Sequence, residues 1–431
     1  MTSPPSPPAN KILLPLVLLL IAIAIAIFLF APAASKNKTK NHALAPAINQ
    51  SELNIEQFLA QHWQHPIAPQ GAPPPQFSAL EASLSPQNCA ACHQSQFTHW
   101  QQSLHSQTMS AGILWQLQLL PPAEISSCLN CHAPLAEQRA LIAQELNWSN
   151  APKSNAPDYV PADLAHQGLV CASCHVRAHE RFGPEPQKVI DENSLAHNGF
   201  TINPAFSDSR FCSSCHQFPE SGPRTNGKLR EDTFNQWQAS KFGQGDNPTH
   251  CQSCHMPNRQ HQWKGIHNEA MVRSALSSQL TRRKNQLVFT LTNEGAGHDF
   301  PTYMVPKIEV QLVVDDGKEE IMLSRETIGW HVDINLTQEY FDQRLKSGEA
   351  RQYIARLPDS LSHESNIKVY LDVAPREHYE RTFEFVLAQR DKLEPKTLAL
   401  LEQAYREAKA TRYRLLLTQQ PFNSIEDEKN P

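Results

Sequence analysis

The sequence predicts a mainly α domain with little regular structure, then a small all-β, sandwich-like domain with a C-terminal helix, the whole behind an N-terminal transmembrane helix. Three observations carry that prediction. All 10 cysteines fall between Cys89 and Cys254, in five C-x-x-C pairs whose first members are 39, 43, 41 and 39 residues apart. That near-constant interval suits one short helix per pair and one connecting arm. Beyond about Met271 the cysteines stop and apolar residues alternate with polar ones, the period of a half-buried strand. Residues 12–30 are apolar without interruption except for Pro15. The chain divides accordingly into an anchor or signal at 1–35, a Pro-rich tether at 36–86, the cysteine-bearing domain at 87–272 and the β domain at 273–420.

The apolar run Ile12 to Phe30 would cover about 28 Å as a helix, enough for a bilayer's hydrocarbon core. A cleaved signal peptide is the rival, because Ala31-Pro32-Ala33 offers small residues to a peptidase. Secretory apolar cores are shorter, about 7 to 15 residues, so a retained anchor is expected. Lys36, Lys38 and Lys40 after the run, against Lys11 before it, lean towards a cytoplasmic C-terminal portion. The cysteine chemistry below overrules that small bias, since it requires export. The expected location is therefore the periplasmic side of a bacterial inner membrane, held by a single pass, or the periplasm itself if the signal is cleaved. From Ala31 to Pro86 the composition is that of a tether, with one short helix expected around Ser51 to His62.

With 38 Lys plus Arg against 43 Asp plus Glu, no basic surplus exists to neutralise a phosphate backbone, and no nucleic acid is expected as a partner. An apolar content of 40% excludes a largely disordered chain. Function then rests on the cysteines.

The pairs are Cys89/Cys92, Cys128/Cys131, Cys171/Cys174, Cys212/Cys215 and Cys251/Cys254, and each is followed at once by a histidine: His93, His132, His175, His216 and His255. C-x-x-C-H is the attachment sequence of c-type haem. Cysteines three apart share one face of a helical turn, so both thiols reach the porphyrin vinyl groups, and the adjacent histidine binds iron from below. Structural zinc needs two such pairs per site, and five cannot be matched evenly. A disulfide framework suits an exported chain with an even cysteine count but leaves five histidines unexplained. Five covalently bound c-type haems, with iron, are the expected cofactors.

Twenty histidines less these five leave fifteen for the opposite faces. His105 ends Phe97-x-x-Trp100-x-x-Ser103-x-His105, a fragment that recurs as Phe234-x-x-Trp237-x-x-Ser240-x-Phe242, where phenylalanine can only pack. His261 and His267 follow the last motif closely, His298 lies in Gly295-Ala296-Gly297-His298 where glycines let backbone approach a flat cofactor, and His197 lies in a loop before Gly199. His179, His166, His250 and His99 are reserves. Methionine is scarce, so mostly bis-histidine iron at low potential is expected.

The five motifs, the Phe97 to His105 fragment, Cys251-Gln-Ser-Cys254-His255-Met256-Pro257 with the following His261 to His267 stretch, and Gly295 to Thr302 resemble exported multihaem cytochromes c. The resemblance covers roughly 85–349 and leans to the tetrahaem cytochromes and the haem cores of the hydroxylamine-oxidoreductase group. It implies haems in close pairs that pass electrons along a chain, with the matching histidines as distal ligands. In that class a catalytic haem keeps an open face, often with a lysine-ligated motif, and the lysine version is absent here.

In the β domain Ile308, Val310, Leu312 and Val314 alternate with polar residues, Asp316-Gly317 makes a turn, and Ile367, Val369, Leu371 and Val373 repeat the pattern. Leu287 to Leu291 and Thr382 to Val386 read as further strands of an antiparallel sandwich. Leu398, Leu401, Ala404, Tyr405 and Ala408 mark a helix, and Tyr413 to Leu417 a last short strand. No nucleophile triad or phosphate loop is found. Electron transfer between redox protein partners is the expected function, with the membrane as a second partner through the N-terminal helix. The alternatives are a multihaem oxidoreductase acting on a small nitrogen or sulfur species at one five-coordinate haem, and a membrane quinol dehydrogenase, which a long tether disfavours.

Overall fold

The computed structural model describes residues 50–186, 196–359, 361–362 and 364–428. The predicted transmembrane segment lies outside the described residues. Among the described residues no helix is long and apolar enough to cross a membrane.

The β domain forms because its alternating runs bury one face each. Eight strands build it: β1 (Leu276–Arg283), β2 (Gln286–Asn293), β3 (Lys307–Asp315), β4 (Glu320–Val332), β5 (Glu339–Asp342), β6 (Ala350–Arg356), β7 (Asn366–Ala374) and β8 (Tyr413–Pro421). They pair antiparallel in two sheets, one ordered β5-β4-β3-β7-β8 and the other β6-β2-β1. Leu287, Phe289 and Leu291 of the smaller sheet share a core with Ile308, Val310, Leu312, Ile367, Val369 and Leu371 of the larger, all fully buried. Each such side chain contributes about 1.5–3 kcal/mol on leaving water, so the sandwich has a core of its own. The turn at Asp316-Gly317 is present, with Gly317 at φ 84° and its N–H donating to the Asp315 carboxylate.

One predicted strand is a helix. Thr382 to Val386 lie within Glu377–Leu387, because the alternation of Phe383 and Phe385 hid a stronger helical spacing. Phe383 is buried, stacks on Tyr379 one turn earlier and meets Trp115 edge-on at 5.9 Å, whereas Phe385 is 47% exposed. The C-terminal helix runs from Pro395 to Ala410, as its spacing predicts, and β8 extends the last strand to Pro421.

These two helices pack on the cysteine-bearing part. Phe383, Leu401, Ala404 and Ala408 pack on Ala111 and Trp115 of the Ala111–Leu117 helix, so the later part of the chain is fastened onto the cysteine-bearing part. A second fastening is polar: the Lys228 ammonium meets both Glu339 and Asp342 at 2.8 and 2.7 Å, and Asp342 also holds Arg344.

The cysteine-bearing part is short helices joined by long irregular arms. Its core extends further towards the N-terminus than the tether reading allows. The expected helix is present as Gln50–His62, but Trp63, Ile67, Ala82 and Leu84 are buried against Trp100, Leu135 and Leu164. Ile67 also exchanges backbone hydrogen bonds with Pro134 and Ala136. Residues from about Ile55 to Pro86 thus belong to the packed body. Proline density misled because proline also suits fixed extended chain, here pinned by buried aromatic and aliphatic neighbours.

Candidate functional site

Each C-x-x-C-H motif lies on or beside a single helical turn. Cys89 ends Pro86–Cys89, the second motif ends Pro122–His132, and Cys171–His175, Arg210–His216 and Cys251–His255 carry the others. All ten thiols are free of disulfides, Cys92 and Cys254 being the exposed ones. Cys89 lies against Cys171, Cys131 against Cys215 and Cys212 against Cys251, while Cys174 lies near both Cys212 and Cys215. The motifs therefore form a branched set, with the first beside the third, the third near the fourth, and the fourth touching both the second and the fifth.

The histidines test whether this arrangement fits iron. An iron-binding imidazole donates its Nδ1–H to an acceptor and turns a bare Nε2 to the metal. His132 donates from Nδ1 to the Thr108 carbonyl, His175 to Phe182 and His255 to Lys264, at 2.7–2.8 Å. His261, His298 and His197 do the same to Arg259, Asp299 and Gly199, at 2.8, 2.8 and 3.0 Å. Six sequence-predicted ligands thus share one tautomer and one orientation. His62, His166 and His179 spend Nε2 instead, on the Cys174 carbonyl, the Glu145 carboxylate and the Gly71 carbonyl. His250 accepts the Ser209 N–H at Nδ1, which leaves its Nε2 protonated.

Spacing gives a second test. Two imidazoles bound to one iron through bonds of about 2 Å have ring centres about 6.3 Å apart. His105 faces His216, His261 faces His175 and His298 faces His255, each with ring centroids 6.3 Å apart and with interplanar angles of 45°, 39° and 15°. Burial, with His216 and His261 adding, pushes the His105 pKa down to about 3, and burial takes His175 and His298 to about 4. These rings stay neutral, the form a metal requires. His197 lies near His93, where burial first and His197 second lower the His93 pKa.

Two predicted positions differ. Among the described residues no imidazole stands at ring spacing opposite His132. His267 stands opposite none of the five motif histidines; both of its ring nitrogens are buried without a partner, and burial with Arg376 beside it takes its pKa to about 4. The glycines before His298 also have close protein neighbours. A side chain at Gly295 would strike the Ser274 carbonyl, and one at Gly297 would meet Trp237 at 3.1 Å, so the close neighbours are protein.

The recurring aromatic fragment is one structural unit used twice. Phe97 and Trp100 lie 5.8 Å apart at 31°, Phe234 and Trp237 5.4 Å apart at 31°. Trp100 Nε1 donates to the Leu169 carbonyl and Trp237 Nε1 to the Thr249 carbonyl, in each case two residues before the first cysteine of a motif. Ser103 and Ser240 both close back on their tryptophan's carbonyl at 2.7 Å. Leu169 N–H donates to His105 and Thr249 N–H to Phe242, both at 2.8 Å. Sequence spacing revealed the repeat but not that it braces the third and fifth motifs.

Residues 88–176 match the family described as cytochrome c554 and c-prime. Among curated proteins no significant relative is found. Among solved structures the fold is similar to a penta-heme cytochrome c552 from Thermochromatium tepidum, with a TM-score of 0.52 and 18% identity over 79% of this chain and 99% of that one. With thiols paired for thioether bonds and histidines held in the neutral form, the residues fit the group, and the chain carries covalently bound c-type haems.

Proposed function

We propose that the protein carries single electrons between redox protein partners, through bis-histidine haems at the pairs His93/His197, His175/His261, His216/His105 and His255/His298. The observation that carries this reading is the common ring separation of 6.3 Å in three of those pairs, each contributed by segments far apart in sequence. Imidazole on both faces keeps iron low-spin and leaves no position for a substrate, which suits transfer without bond making. We also place the protein outside the cytoplasm, tethered to a membrane through residues 12–30. The reading depends on export, which thioether attachment of haem at five motifs implies.

A second reading is favoured at one motif only. Among the described residues His132 has no imidazole opposite, so the second haem is the place where a small nitrogen or sulfur species could meet open iron, as in the hydroxylamine-oxidoreductase-related class that the sequence resembles. Tyr303 and Tyr379 lie in the same region, near Glu231 and Arg376, and Glu231 is itself close to Cys131. Their hydroxyls make no hydrogen bond among the described residues.

Electron paramagnetic resonance of the oxidised protein tests both readings. Four low-spin centres and one high-spin centre support transfer with one open haem; five low-spin centres remove the catalytic reading, and two or more high-spin centres remove the bis-histidine assignment. Deleting residues 1–35 behind a cleavable signal tests the anchor: the shortened protein should be soluble and fully loaded. A wild-type protein that is itself soluble and begins near Ala34 overturns it.

A further inference from the structure

Charged side chains beside three of the motifs are offset by a neighbour of opposite sign. Arg210, which opens the fourth motif's helix, holds Asp208 at 2.7 Å. Arg344, 3.7 Å from the Asp299 carboxylate next to His298, holds Asp342 at 2.8 Å. Near the first motif Arg181 donates to the Glu81 carbonyl, and the Glu81 carboxylate accepts the His197 N–H at 2.8 Å. The third motif differs. Arg177 follows His175 closely, is half-buried, and spends its guanidinium on neutral carbonyls. Its Nε donates to His62 at 2.8 Å, Nη1 to Ala172 and Val176 at 3.3 and 2.6 Å, and Nη2 to Ser173 at 3.0 Å. Ala172 and Ser173 lie inside the Cys171–His175 helix, so the charge is fastened to the motif's own backbone. The guanidinium also lies over Trp63, 5.4 Å from the ring centre. Glu180, its partner across the hairpin, is exposed and accepts the Thr201 hydroxyl instead. Among the described residues no carboxylate pairs with Arg177.

We propose that Arg177 raises the reduction potential of the third motif's haem above those of the other bis-histidine haems, so that an electron entering the chain rests there first. The proposal rests on the pairing of His175 with His261 put forward above. The step is ferric iron plus one electron from the redox partner giving ferrous iron, with no bond made or broken and no proton taken up. A guanidinium stays charged throughout, and carbonyl dipoles hold that charge without cancelling it. In a medium of low effective dielectric the fixed positive charge attracts the added electron and favours the ferrous form. At the fourth and fifth motifs Asp208 and Asp342 offset such attraction, and at the first Glu81 does. Lys264, whose carbonyl holds His255, is exposed, so water and salt screen its ammonium. Arg259, whose carbonyl holds His261, adds the same sign as Arg177 at the same haem. Arg139 also bonds to neutral groups, Ser126 and Asn130, but these lie on the second motif's helix, where no imidazole pair is present among the described residues. The layout gives the charge a direction. The third motif stands between the first, whose Cys92 is exposed, and the fourth, so an electron taken up at the first is drawn inward.

The experiment is a reductive titration of the fully loaded, full-length protein, followed by electron paramagnetic resonance. The low-spin signal missing from His261→Ala marks the third motif's haem, and in the wild type that signal should be the first of the low-spin set to vanish. In Arg177→Gln one haem should become harder to reduce: at its wild-type midpoint the ferric-to-ferrous ratio should rise from about one to about ten or more, a shift of about 59 mV or more. Arg177→Lys keeps the charge and loses the fork, so its midpoint should stay within a factor of about three of wild type in the same ratio, even where unfolding occurs earlier. A purely structural role predicts that both variants unfold earlier and that neither moves a midpoint. An unmoved midpoint in Arg177→Gln overturns the proposal. If that variant does not load haem, the wild-type order decides, and a third-motif signal that vanishes last overturns it. If His261→Ala loses no low-spin signal, the histidine pairing has failed instead, and the midpoint in Arg177→Gln still judges the charge.

Discussion

Removing the His298 ring should convert one low-spin centre into an open one. His298 and His255 are 6.3 Å apart and the most nearly parallel of the three measured pairs, at 15° against 39° and 45°. Each of five motifs accounts for about a fifth of the iron, so His298→Ala should raise the high-spin share from about one fifth to about two fifths while all thioether bonds remain. Aligned imidazole planes split the iron's two π-type d orbitals most strongly, so the signal that disappears should be the most rhombic one. The cavity left by the ring is imidazole-shaped, and added imidazole should restore the low-spin state. Losing a strong donor that favours ferric iron should also raise that centre's potential. His166→Ala is the control, since that half-exposed ring is hydrogen-bonded to Glu145 and faces no motif. An unchanged high-spin share in His298→Ala would refute the ligand assignment, and a doubled share in the control would refute the use of ring spacing as its basis.

A pyridine haemochrome assay should give five thioether-linked haems per chain, and a matured preparation holding four or fewer would contradict the motif count. Phe383→Ala should cost about 3–5 kcal/mol in a denaturant titration, because the ring is buried against Trp115, whereas Phe385→Ala should fall within about 0.5 kcal/mol of wild type. Equal effects would restore the strand reading of that segment. Asp342 gives a pH test of the fastening between Lys228 and the sandwich: burial works against its charge, but hydrogen bonds from Arg344 and Lys228 win and take its pKa from 3.8 to about 2. A depressed carboxylate stabilises the fold above its unfolded value, so a contribution on the order of 2 kcal/mol should be present above pH 3.8 and fade as pH falls towards about 2. Asp342→Asn should lose that acid-dependent part of stability, and parallel unfolding curves for the two proteins through this range would count against it.

The attachment chemistry was legible because it needs contiguous residues: two thiols and an imidazole within five positions leave a mark that no fold can hide. Facing ligands leave no such mark. His105 meets His216 and His261 meets His175 only because distant arms fold back, and nothing near His267 in the sequence distinguishes it from His261. What separates them is which ring nitrogen finds a backbone carbonyl, a property of loop conformation. Alternation located the sandwich strands well, since each buries one face of a sheet. It failed at Thr382 to Val386, where Phe385 is exposed and the helix partner lies nearly three hundred residues earlier, at Trp115. The tether reading failed for the related reason that composition records flexibility of free chain and not the neighbours that pin it, here Trp100, Leu135 and Leu164 around Ile67 and Leu84.

The two tryptophan braces span unequal lengths of chain. From Trp237 to its acceptor Thr249 is 12 residues, and from Trp100 to Leu169 it is 69. The geometry at both ends is the same, so the surplus in the first copy is an excursion inserted into a frame that closes without it, and the second motif, with His132, rides on that excursion. That arm also carries Trp115, which fastens the later helices, and Leu135 and Leu164, which line the core around Ile67, so its length answers to packing and not to the brace beneath the third motif. The motif that, among the described residues, has no imidazole at ring spacing is thus carried on a segment seated by its own buried core, around Ile125 and Leu129, rather than by either tryptophan brace.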